Sequence, residues 1–220
     1  MPTDIFYHTI QDFTPPASRG KETSTLVILS EKTLLSQLTP TSVPGLSDPA
    51  AFSSFITAGS SISATKDSSK SITFLLSSTE VLHHVTIAIL PTSVSRHNTP
   101  SRSHAVTSIV QSHSTKGNFS SILLVTDQIS QVFAQAVSVS RAFPIYNSKT
   151  SDKDSSTKVV NVIVNYVNER NPVSDWSTRL QEITEVAASV RLCAHLVDRP
   201  PNDLNCKTYV ELVSAVKSLY

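Results

Sequence analysis

Glycine is scarce in this sequence. Among 220 residues there are four, Gly20, Gly45, Gly59 and Gly117, each isolated. Neither GxGxxG nor a P-loop can be written around them, so a phosphate-cradling loop of either kind is excluded. No GxSxG elbow surrounds any of the many serines, which removes the serine-hydrolase arrangement. The two cysteines, Cys193 and Cys206, cannot build a disulfide framework, and their spacing is neither a CxxC redox pair nor a zinc motif. They read as free, structural thiols. Charged residues are only 16% of the chain, and the net charge is +1 with the lysines and arginines scattered. No basic stripe faces a run of phosphates, so nucleic acid is not an expected partner. Long apolar runs are also absent: nothing approaches the roughly 18 to 20 residues needed to cross a bilayer. The start of the chain has neither a basic n-region nor an apolar h-region. A cytoplasmic protein with no membrane association is expected.

Histidine is more plentiful, with His8, His83, His84, His97, His104, His113 and His195. No HxxxH or HExxH pair occurs among them. His104 and His113 would lie about 180° apart on one helix at 100° per residue. Surface or capping roles are therefore expected, and no metal ligand is assigned.

What the chain does have is 39% hydrophobic residues, enough for a real core. Short β-branched runs at residues 25–29, 72–76 and 85–90 read as strands, the last two as a hairpin with His83 and His84 at the entrance to its second arm. The continuous apolar run at 121–126 reads as a strand buried on both faces. Residues 158–167 alternate, with Val160, Val162, Val164 and Tyr166 on one side and Asn161 and Asn165 on the other. That pattern predicts a half-exposed strand near a sheet edge.

Helices are expected between these runs. Residues 32–38 are weakly helical and stopped by Pro40. Residues 47–58 start at Asp48-Pro49 and end before Gly59. Residues 102–113 have Ser101 as N-cap, and a helix up to Arg141 has Asp127 as its cap. A long helix capped by Ser174 carries Leu180, Ile183, Ala187, Val190, Ala194 and Val197 on one face until Pro200-Pro201 ends it. A last amphipathic segment presents Tyr209, Leu212, Val213, Val216 and Leu219. The Ser/Thr-rich stretches 53–71 and 148–157 read as loops. Strand, helix, strand is the rhythm of an α/β fold with a parallel sheet.

Residues 190–211, VRLCAHLVDRPPNDLNCKTYVE, resemble the interdomain linker of leucyl aminopeptidases, in which a long helix ends in an Asn- and Pro-rich turn leading into the catalytic domain. Residues 96–104 (RHNTPSRSH) and 134–144, ending SRAFP, resemble the aminopeptidase-like subgroup of that family. The resemblance implies a macro-domain-like N-terminal α/β domain with a mixed, largely parallel sheet flanked by helices, followed by the linker helix. It divides the chain into residues 1–172 and a segment 173–220 that holds the linker and the first helix of a truncated catalytic domain. It implies an exopeptidase that removes N-terminal amino acids from peptides, using two divalent ions, zinc or manganese, in a hexamer.

The family's NTDAEGR metal-binding signature is absent, so the resemblance carries over the family and no catalytic or metal residue. This chain alone is expected to be inert. The stretch Asp198, Arg199, Pro200, Pro201, Asn202, Asp203 and Asn205 is read as a helix stop and rigid turn, with Asn205 capping the next helix. A sharper role for it is setting the angle between two domains. Two other readings stay open: a stand-alone macro-like module binding a nucleotide-type metabolite such as ADP-ribose, and a structural subunit docking through the stripe of the final helix.

Overall fold

The computed structural model describes residues 3–14, 22–77, 82–94, 99–113, 119–145, 158–168, 170 and 173–217. The strands are β1 (Thr3–Thr9), β2 (Glu22–Leu29), β3 (Lys70–Ser77), β4 (Leu82–Ile89), β5 (Phe119–Thr126) and β6 (Lys158–Tyr166). The α-helices are α1 (Pro49–Ser61), α2 (Ser103–His113), α3 (Ile129–Arg141), α4 (Trp176–Asp198) and α5 (Cys206–Lys217). Two short 3-10 turns, Lys32–Gln37 and Pro40–Ser42, follow β2.

All six strands form one sheet in the order β1-β6-β5-β2-β4-β3. Every neighbouring pair is parallel except β3 and β4, which make the antiparallel hairpin expected from their sequences. The sheet is therefore mixed and largely parallel, as the family resemblance implies. The central strands are apolar on both faces because successive side chains point to opposite sides. Leu26 and Ile28 of β2 face a core shared with Val106, Ile109, Val132, Ala136, Val139 and Ile183 of α2, α3 and α4. Val27 and Leu29 face the other core, with Leu34 and Leu35 from the first 3-10 turn, Val43 and Leu46 from the segment after the second, and Phe55 from α1. Connections after β2 thus leave toward one face, and those after β4 and β5 toward the other.

Several sequence readings are corrected by this packing. Strand β1 was not anticipated. It pairs with β6 and takes the edge position. Strand β6 is consequently interior, and Asn161 and Asn165 are each only 7% exposed, although their alternation suggested a solvent face. Helix α1 bears out the helix read at 47–58 and runs three residues beyond it, into the rest of the 53–71 stretch read as a loop. Gly59 lies inside it, packed so closely on Ile87 that an added Cβ would sit 2.7 Å from that residue's Cδ1. It permits contact between elements and does not stop the helix.

Caps were displaced by one residue. Asp175, not Ser174, caps α4 by accepting from the Thr178 amide at 3.0 Å. Gln128, not Asp127, stands at the start of α3, with its amide bonded to the Thr126 hydroxyl at 3.2 Å. Asp48 caps α1 as read, accepting from Ala51 with Pro49 in the first turn. The loop reading of 148–157, together with His97, Gly20, Gly117 and Leu219, lies outside the described residues.

Candidate functional site

The stretch singled out in the sequence sits where α4 leaves the body of the sheet. Helix α4 is fixed first by its apolar face: Ile183 and Ala187 are essentially buried and Ala194 is 7% exposed. Tyr166 and Trp176 meet edge to face at 6.2 Å near its start. Arg191 adds a polar staple, its Nε donating to the Phe143 carbonyl at 3.1 Å and its Nη2 to the Thr3 carbonyl at 3.0 Å. One side chain thereby ties α4 to the exit of α3 and to the first residue of β1. The Tyr7 hydroxyl lies close by, 3.5 Å from the Ala136 carbonyl. Burial pushes its pKa up to about 12, against the opposing pull of Ser140 and the Arg191 charge.

Asp198 ends α4 and lies 4.0 Å from Arg141 of α3. Both side chains are more than a third exposed, so this pair contributes little. Arg199 is extended (φ −74°, ψ 133°), the conformation imposed on a residue preceding proline. The Pro200 carbonyl then accepts from the amides of both Asp203 and Leu204 at 2.9 Å, folding the chain back on itself.

Asn205 starts α5 as read. Its Oδ1 accepts from the amides of Lys207 (3.0 Å) and Thr208 (3.1 Å), while its own amide donates to the Thr208 hydroxyl at 2.9 Å. This reciprocal exchange is a capping box with threonine in the third helical position. Thr208 also donates to the Asp203 carbonyl at 3.0 Å, locking cap to turn. Pro200, Pro201, Asn202 and Asp203 are exposed. The turn is rigid by its own bonds and not by burial.

Among the described residues, no group of three or more His, Cys, Asp or Glu side chains could hold a metal ion. Cys193 and Cys206 are free, as read, and both are exposed, so neither fills the core. Val197 of the expected α4 stripe is 81% exposed, so the buried face of α4 does not extend to it. Tyr209, Val210 and Val213 of α5 are exposed as well.

The histidines are dispersed. The His83 imidazole is held among Thr23, Thr25 and the Pro44 carbonyl, His8 meets Asn161 at 3.1 Å, and His113 meets Ser71 at 2.9 Å. Two buried polar residues that the sequence did not single out, Ser30 and Arg102, line a cavity at the C-terminal end of the sheet.

Residues 24–153, more than half of the chain, match the family described as M17 aminopeptidase N-terminal domain 2. The chain belongs to the M17, or leucyl, aminopeptidase family and carries its N-terminal domain. Probable aminopeptidase NPEPL1 of Homo sapiens is 35% identical over 136 residues, 61% of this chain and 26% of the relative. The Mus musculus protein of the same name matches to the same extent. The chain thus spans about a quarter of the length of these relatives.

Solved structures agree on the M17 fold. Leucyl aminopeptidase from Leishmania major in complex with actinonin superposes with a TM-score of 0.69 at 19% identity, over 97% of this chain and 39% of that one. Caenorhabditis elegans leucine aminopeptidase LAP1 gives 0.67 at 18% identity, over 99% and 40%. At such identities the likeness speaks for the fold.

Proposed function

We propose that this chain is the non-catalytic N-terminal portion of a metal-dependent exopeptidase that removes N-terminal amino acids from peptides. The match of residues 24–153 to the M17 N-terminal domain carries this reading, and the aminopeptidase relatives support it. In the whole enzyme two divalent ions, zinc or manganese, would lower the pKa of a bridging water and polarise the scissile carbonyl. The described residues do not supply a donor set for such ions, so no hydrolytic step is assigned to them.

In this reading residues 1–172 form the scaffold domain, and 173–220 form the linker and the entry to a catalytic domain. The assembly is a cytoplasmic hexamer acting on peptides. Asp198, Arg199, Pro200, Pro201, Asn202 and Asn205 set the direction in which the chain leaves the scaffold. The restriction of Arg199 by Pro200 and the capping box at Asn205 support that role.

Two measurements test the proposal. The purified 220-residue chain should not hydrolyse leucine p-nitroanilide with added manganese or zinc; turnover would overturn the non-catalytic assignment. In a full-length enzyme carrying this segment, replacing Pro200 and Pro201 by alanine should change kcat/KM or the oligomer size. Unchanged kinetics and unchanged assembly would remove the orienting role.

A further inference from the structure

The connections after β2 and β4 depart toward opposite faces of the sheet, although the two strands are parallel neighbours. A crevice opens at the carboxyl ends of strands arranged in this way, and open α/β sheets place their ligands there. Here the crevice is a cavity of about 430 Å³, within the size range of small-molecule sites. Its walls combine Ser30, Glu31, Lys32 and Arg102 with the apolar surfaces of Ile89 and Leu90.

Two of the polar groups are left unsatisfied. Ser30 is 3% exposed, and its hydroxyl has no hydrogen-bond partner among the described residues. Arg102 is 6% exposed. Its Nη1 donates to the Pro100 carbonyl at 3.0 Å, while its buried Nε has no partner among the described residues. A buried donor without an acceptor costs about 1–3 kcal/mol, and more when it is charged. Arg102 also holds a left-handed backbone, φ 50°, a conformation that costs a non-glycine residue on the order of 1 kcal/mol or more.

A merely structural arginine would be expected to turn its charge to solvent or to a carboxylate. Among the described residues no carboxylate forms an ion pair with this one. At the rim, Lys32 donates to the Ser63 hydroxyl at 2.9 Å. With Glu31 opposed by Lys32 and Arg102, the wall keeps a net positive charge.

We propose that this cavity is a binding site for a small molecule bearing an oxyanion, with the anionic group on Arg102 Nε and the Ser30 hydroxyl and the uncharged remainder against Ile89 and Leu90. The acceptor oxygens would satisfy both orphaned donors at once, and the guanidinium would supply a charge-assisted bond. The assignment is independent of the peptidase reading, since it rests on groups far from the α4 turn in sequence and uses no catalytic step.

The oxyanion can be tetrahedral or planar, and nuclear magnetic resonance titration of the whole chain separates the two. Inorganic phosphate is one probe and L-leucine, through its carboxylate, the other, each at matched ionic strength against chloride. The expected result is saturable shifts of the amides of Ser30, Leu90 and Arg102 with at least one probe, which identifies the kind of anion. In Arg102→Lys the apparent Kd should rise about tenfold or more, the loss of one charge-assisted bond, with Ser30→Ala weakening the same probe. Should Arg102→Lys fail to fold, Ser30→Ala alone decides. Absence of saturable shifts with both probes, or binding that neither variant weakens, overturns the site and leaves the cavity to water.

Discussion

Gly45 shows how a single residue can be obligatory for reasons a linear reading does not contain. Its φ of +83° lies in the region that disfavours any side chain, and an added Cβ would overlap the His83 imidazole. Both penalties act on Gly45→Ala, strain from the backbone and overlap with a partly buried ring. The expected loss is about 2–4 kcal/mol, read as a lower urea midpoint at unchanged slope; a shift below the error of the fit would mean that the ring and the turn do not meet. The sequence displayed Gly45 only as one of four scattered glycines, because a positive φ and a contact with residue 83 arise from the tertiary fold.

His83 carries a pH prediction of its own. Burial holds its pKa below the usual 6.5, only partly opposed by the Pro44 carbonyl, and the neighbouring His84 charge lowers it further. Burial likewise lowers His113. A base with a depressed folded pKa binds fewer protons in the native state than in the unfolded one between the two pKa values. Stability is therefore complete above about 6.5, falls as pH drops below it, and levels off once the folded pKa is passed. Thermal midpoints measured from pH 7.5 to 5 should decline in that window, and His83→Gln should flatten part of the slope. An identical slope in the variant would assign the acid loss to other groups.

At the scale of elements, apolar pattern was the legible part. The continuous run of β5, the hairpin β3–β4 and the stripe of α4 were readable because burial on both faces, alternation and helical spacing are local properties. Strand β1 was missed: its sequence, TDIFYHT, has a pattern of partial exposure that an edge position produces, and nothing adjacent in sequence reveals that it joins β6. The error on β6 follows from that omission, since a covering strand turns an apparent edge into the interior.

Helix α4 was legible as a helix but not in its attachment. Its Arg191 reaches carbonyls at residues 3 and 143, partners separated by most of the chain. Arg191→Met keeps much of the stem while removing two charge-assisted bonds and leaving two carbonyls short of a donor. Because the group is partly exposed, about 2 kcal/mol is expected rather than the sum of two fully buried bonds. Hydrogen exchange should show faster opening at Thr3 and along α4 in the variant. Unchanged protection at both places would mean that apolar contacts alone hold the helix.

For the whole molecule, the family resemblance in the linker disclosed more than periodicity did, because a turn of prolines and asparagines between two helices records a connection. The same resemblance could not disclose the Ser30–Arg102 cavity, whose residues are 72 positions apart in sequence and are brought together by the parallel pairing of β2 with β4. The molecule divides energetically at the turn. Helices α1 to α4 contribute buried side chains to the two cores, whereas no described side chain of α5 is buried. Helix α5 is held by its cap and by the turn, which stabilise it locally without binding it to the sheet.

A chain ending at Leu204 should therefore keep its thermal midpoint within about 2 °C of the 220-residue chain, the range of a surface change. A chain ending before Trp176 should unfold, because it removes Ile183 and Ala187 from the core together with the Arg191 staple. If the first truncation lowered the midpoint as far as the second, α5 would have to pack on the scaffold, and the turn at Pro200 and Pro201 would be an internal corner instead of a point of departure.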